Sequence, residues 1–235
     1  MKPSQRLART AGLYYLVVAV FGAFAQVVRT KVYVPGDATA TAARVLENAD
    51  LVRYSLVADL VQATFFLFVV LAIYRLLRHV NAHLARAMVV FVVVAVAVTT
   101  LNLVNQLGAL LVATDPSYAA ALGVDGAQSL VMLFLDLQHY GYLIAQIFFG
   151  LWLFPLGLLA WRSGMFPRVI AGLLLTASTF YVVDVALEFL APDVAAAVNP
   201  ALVILFTVAE ASMLVFLLAK GVLTGRPAGR ILVDA

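Results

Sequence analysis

The chain has 235 residues, 65% of them hydrophobic and 11% charged, with a formal net charge of +3. Soluble domains run at about 45–50% apolar and about 25% charged, so a soluble globular protein is excluded and a polytopic membrane protein is indicated. The arginines flank apolar stretches, as topology signals do, which argues against nucleic acid as a partner, and the lack of cysteine excludes disulfides and thiol catalysis.

In chain order, spans of about 20 apolar residues are predicted at roughly 10–29, 52–77, 86–113, 128–160, 168–190 and 200–221. No polar stretch is long enough for a soluble domain, so residues 1–235 read as a single transmembrane helical domain. Lys2, Arg6 and Arg9 precede the first span, and Ala23-Phe24-Ala25 resembles a signal-peptide cleavage site. The apolar run is longer than a usual signal core, so it reads as a span. After it, Pro35-Gly36 predicts a turn and Asp37 an N-cap for a helix over Ala38–Ala49.

Arg75, Arg78 and Arg86 lie between spans two and three. Asp115-Pro116 predicts a second capped short helix, ended by Gly123. The fourth span is too long to cross upright, so tilting, protrusion or a bend near Pro155 is expected. Arg162 and Arg168 separate spans four and five, and Pro192 to Pro200 reads as a loop holding one turn. Lys220, Arg226 and Arg230 follow span six. The opposite side has Arg29, Lys31, Arg44 and Arg53. This bias predicts cytoplasmic termini, in an all-α bundle of six transmembrane helices with short helices in the outer loops. The composition and topology point to a lipid bilayer as surroundings.

Five acids interrupt the apolar spans: Asp59, Asp136, Asp184, Glu188 and Glu210. An acid near the bilayer centre costs roughly 2.5–3.5 kcal/mol even on mild scales, so it usually faces a partner or a wet cavity. At 100° per residue, Ser55, Asp59 and Gln62 share one face of span two. Asn102, Asn105 and Gln106 share a face of span three. Asp136, His139, Tyr142 and Gln146 form a stripe on span four, Tyr181, Asp184 and Glu188 on span five, and Thr207 and Glu210 on span six. These groups are predicted roughly 9–15 Å below the outer span ends, in one slab of the outer leaflet.

Each group also has a plainer reading. Asn102, Asn105 and Gln106 suit interhelical hydrogen bonds. His139 has no second histidine nearby, as a packing residue would not. Arg29 and Arg53 suit snorkelling or neutralising a neighbour, or holding an anionic head group. Tyr14, Tyr15 and Trp161 suit interfacial anchoring. His79 and His83 have metal-compatible spacing but sit in a short basic loop.

Asp136 and His139, three apart on one helix face, are the expected centre of chemistry, because a carboxylate there can orient and charge an imidazole. Asp184 and Glu210 join them as candidate acids. Ligand-orienting roles fall to Asp59, Gln62, Asn102, Asn105, Gln106, Tyr142, Gln146 and Tyr181, with Arg29 and Arg53 at the outer end. A protonated acid among apolar walls is a ready general acid, and a proton-coupled carrier needs the same groups. No nucleotide loop, haem or flavin motif or metal cluster is present in the sequence, so no cofactor is expected.

The chain resembles a bacterial membrane family catalogued as domain of unknown function 4386. The likeness rests on VPGDATATAARVL at 34–46, RYSLVADL from Arg53 to Leu60 and FLDLQHYGYLIAQIFFGL from Phe134 to Leu151. RSGMFPRVIAGLLL from Arg162 to Leu175, YVVDVALEFLAPD at 181–193, and Glu210 followed by LLAKGV at 217–222 extend it. The resemblance implies a multi-pass bacterial membrane protein and no particular reaction. The residues themselves leave three readings open. These are an intramembrane acid–base enzyme on a lipid-like small molecule such as an isoprenoid, a ligand-binding or sensing module or complex subunit, and a proton-coupled transporter. Small residues such as Gly150 and Gly157 leave oligomer formation open too.

Overall fold

The computed structural model describes residues 3–223. Lys2, Arg226 and Arg230, which enter the orientation argument, lie outside them. Eight helices follow in order: α1 (Pro3–Val32), α2 (Ala38–Glu47), α3 (Ala49–Leu77), α4 (Ala82–Thr114), α5 (Pro116–Leu122), α6 (Val124–Ser163), α7 (Arg168–Leu190) and α8 (Pro192–Ala219). No strand occurs among the described residues. Six of the helices are long and apolar enough to cross a membrane.

The two short helices form where their caps demand. Asp37 accepts a hydrogen bond from the Ala40 amide at 2.8 Å, and Gly36, at φ 79°, makes the preceding turn. Asp115 accepts from the Ser117 amide at 2.9 Å, Pro116 opens α5, and Gly123 at φ 75° closes it. Each carboxylate satisfies a first-turn N–H that has no helical partner.

The expected loop between Pro192 and Pro200 is instead the first part of α8, joined to α7 through Ala191 alone. Pro192 occupies the opening of the helix, where its missing N–H costs nothing. Pro200 lies inside it and forgoes a single backbone bond, and transmembrane helices tolerate such breaks. Pro155 likewise stays within α6, a continuous helix of 40 residues. At 1.5 Å per residue α6 is about 60 Å long, twice the hydrocarbon thickness of about 30 Å.

The chain divides into two compact units, and α1, α3, α4 and α6 contribute to both. The first holds residues up to Tyr15, Leu67–Val93 and the chain from Gln146 onward. Here the backbone of α8 at Leu217 and Leu218 comes so close to Gly12 that a methyl group there would press against it. Gln5 on α1 fastens the chain beyond α8, donating to the Val222 carbonyl at 2.7 Å. Gly150 and Gly157 similarly let α7 lie against α6.

The second unit holds Leu16–Phe66 and Val94–Ala145. Its apolar core includes Val28, Val45, Val52, Leu110, Val131 and Leu135. The fully buried Thr41 of α2 accepts from the Val34 amide and donates to the Val34 carbonyl, closing the connection after α1.

Candidate functional site: two polar clusters inside the helical bundle

In the second unit, α1 presents a line of polar contacts to α3 and α6. Arg29 Nη1 donates to Asp59 Oδ2 at 2.6 Å, with both side chains largely buried. Its Nε donates to Gln26, and its guanidinium carbon lies 5.7 Å from the centre of the Tyr142 ring. Tyr33, one turn on, donates its phenol proton to Asp136 Oδ1 at 2.6 Å. Burial, and then the bond to Asp136, hold the Tyr33 phenol well above its ordinary pKa. The exposed His139 ring stacks on Tyr33, centroids 6.1 Å apart. Among the described residues Asp136 and His139 make no direct hydrogen bond, and Tyr33 touches both.

The amides of α4 spend themselves on helix contacts. Asn102 donates to the Gln138 carbonyl at 2.7 Å, and Asn105 donates to Asn102 at 2.9 Å. Gln106 donates to Ser55 on α3 at 2.8 Å, while its own Oε1 is buried without a partner. Gly141 makes the first contact possible, because a side chain there would occupy the space of the Asn102 amide. Gln62 packs its amide against Gly22 of α1 and makes no hydrogen bond to the described residues. Arg53 is exposed and pairs with Asp50 at 2.6 Å, an arrangement worth about 1 kcal/mol or less.

In the first unit, Glu210 on α8 is clamped by two phenols. Tyr15 donates to its Oε2 at 2.6 Å and Tyr181 to its Oε1 at 2.9 Å. Tyr15 meets Trp152 edge-on, and Tyr181 stacks on Phe206 at 3.7 Å. Asp184, only 2% exposed, receives the Gln146 amide on Oδ2 at 2.8 Å, and its Oδ1 is buried with no partner.

The candidate residues thus fall into two sets. Arg29, Arg53, Asp59, Gln62, Asn102, Asn105, Gln106, Asp136, His139 and Tyr142 belong to one unit, and Gln146, Tyr181, Asp184 and Glu210 to the other. Two contributors were missed from sequence. Tyr33 lies beyond the predicted end of span one, and its only signal is a phenol a helical turn from Arg29. Tyr15 was expected as an interfacial anchor, but it is 4% exposed and bound to Glu210. The apolar stretch on either side of it was the available signal.

A family model described as Domain of unknown function (DUF4386) matches residues 10–221. The chain belongs to the DUF4386 family. The match takes in both clusters and the six long helices, apart from the residues of α1 before position 10. Comparison with curated proteins and with solved structures gives no match.

Proposed function

We propose that this DUF4386 protein is an intramembrane acid–base enzyme acting on a lipid-soluble small molecule, in a bacterial cytoplasmic membrane with both termini in the cytoplasm. The observation that carries the reading is the 2.6 Å bond from Tyr33 to Asp136, with His139 exposed against the same phenol. In this reading Asp136 is the general acid and Tyr33 orients it. His139, an imidazole with one ring nitrogen to accept a proton and one to donate it, takes up or delivers the proton at the accessible edge. Glu210 holds two phenol donors, one on each oxygen, so it is less suited to give up or accept a proton than Asp136.

A ligand-binding or sensing module is the second reading. It is favoured by Arg29–Asp59, an ion pair that already neutralises its own charges and can hold a ligand without any proton moving. The two readings separate in mass spectra of organic extracts from cells and purified protein, wild type beside Asp136→Asn. The enzyme reading expects a molecule enriched with both proteins and a conversion product with wild type alone. Enrichment without any product difference assigns the chain to binding. No enriched molecule and no product in either sample overturns both.

A further inference from the structure

The Arg29–Asp59 pair has hydrogen-bonding capacity left over. Among the described residues the guanidinium spends Nε on Gln26 and Nη1 on Asp59, and Nη2 has no partner. Asp59 accepts through Oδ2 and not through Oδ1. Gln62, one turn from Asp59 on the same face of α3, has its amide turned onto Gly22 with no partner. All three belong to membrane-spanning helices, and their unspent polar atoms are open to a polar occupant rather than sealed inside the protein.

The chemistry of the unspent groups selects the occupant. The unspent N–H groups of the guanidinium and the primary amide outnumber the unspent acceptor oxygens, Asp59 Oδ1 and the Gln62 amide oxygen. The charge, however, is already balanced, because Asp59 neutralises Arg29. An anionic head group would add negative charge beside Asp59, with Asp136 on the adjoining helix, in surroundings of low dielectric. A neutral acceptor accepts the donors without that repulsion. Tyr142, beneath the guanidinium, and Gln26, at its Nε, hold the donor plane in place before any ligand arrives. Tyr142 is also three residues from His139, so the ring beneath the guanidinium and the exposed imidazole share one face of α6.

We propose that Arg29 and Gln62 form a receptor for the carbonyl oxygen of a neutral lipid-soluble ketone, ester or amide. This rests on the acid–base reading, in which the carbonyl is the group that Asp136 and His139 act beside. Arg29 is the main donor, Gln62 the second, and Asp59 fixes the guanidinium and offers Oδ1 to any hydroxyl or N–H next to the carbonyl.

The test uses the full chain in nanodiscs of ether-linked phosphatidylcholine, which have no lipid carbonyl of their own. The probe is methyl decyl ketone isotopically labelled at its carbonyl carbon, followed by difference infrared spectroscopy. A saturable carbonyl band at lower frequency than in empty nanodiscs is expected. Gln62→Leu should weaken its titration about tenfold, in keeping with one lost hydrogen bond. The double substitution Arg29→Gln with Asp59→Asn, which removes both charges and strands neither, should abolish the shift. A wild-type spectrum showing only the bilayer-dissolved band overturns the proposal, as does a shifted band that both variants retain. Dodecyl phosphate displacing the ketone at lower concentration than unlabelled ketone does would overturn neutral selectivity. A shifted band without Asp136-dependent product leaves the carbonyl receptor standing and removes the enzyme reading, and product without the band does the reverse.

Discussion

Removing Arg29 alone would strand the Asp59 carboxylate inside a span, and breaking a buried pair from one side costs about 3–5 kcal/mol. Arg29→Met should therefore lower thermal stability in detergent far more than the paired change Arg29→Gln with Asp59→Asn. Equal losses would mean that the pair is not coupled. Tyr33 offers a second check through pH. Its phenol is held above the ordinary value, so the stability it contributes is complete below about pH 10 and is lost only as pH rises through the higher folded value. Tyrosinate absorbance should thus rise equally in wild type and Tyr33→Phe up to about pH 10. A smaller rise in the variant at that point would show Tyr33 titrating normally. The acids of these clusters were legible in the sequence because a carboxylate is conspicuous among apolar residues. Their partners were less so. Tyr15 and Tyr33 are at home at a membrane interface as well as inside a protein, and nothing in the spacing says which helix faces them. Asp136 was expected to charge His139 directly, three residues away. The tertiary placement of Tyr33 against the Asp136 carboxylate and the His139 ring supplies a neighbour that helical periodicity alone does not contain.

At the scale of the helix, Gly141 and Asn102 set how closely α6 approaches α4. Gly141→Ala should displace the Asn102 amide, break its bond to the Gln138 carbonyl and destabilise by about 1–3 kcal/mol through overpacking. Asn102→Ala should lose about 0.6 kcal/mol, the typical value of an interhelical hydrogen bond in a membrane. The double variant should be more stable than the sum of the two losses requires, because the second change removes the side chain that the first one strikes. Strict additivity in thermal melts would place the two residues out of contact. The helices themselves were well marked in sequence where local chemistry dominates: apolar runs of membrane length, and Asp37 and Asp115 ahead of short helices. The stretch from Pro192 to Pro200 read as a loop because two prolines in water usually stop a helix. Within a membrane an unpaired carbonyl is dearer than a kink, so α8 runs through Pro200.

For the whole chain, six long apolar helices are an even number, so the two ends of the set emerge on one side. The connection carrying α2 and the one carrying α5 then share the opposite side, and the turns after α3 and α6 share the side of the ends. Which side is cytoplasmic depends on charge. Arg75, Arg78 and Arg86 crowd the α3–α4 turn, Arg162 and Arg168 the α6–α7 turn, and Arg6, Arg9 and Lys220 the ends, against Arg29, Lys31, Arg44 and Arg53 on the other side. The excess predicts that the turns with α3–α4 and α6–α7 are cytoplasmic. A chain without cysteine makes the test direct, since single cysteines introduce the only thiols. Thr39→Cys and Ser117→Cys, both at exposed positions of the short helices, should react with a membrane-impermeant maleimide on intact cells. Asn81→Cys and Gly164→Cys should react only after permeabilisation. The opposite pattern would invert the topology and turn the Tyr33–Asp136 end of the second unit toward the cytoplasm. A lipid-soluble substrate would then reach His139 from the inner leaflet, so the labelling result also decides which leaflet the proposed site draws on.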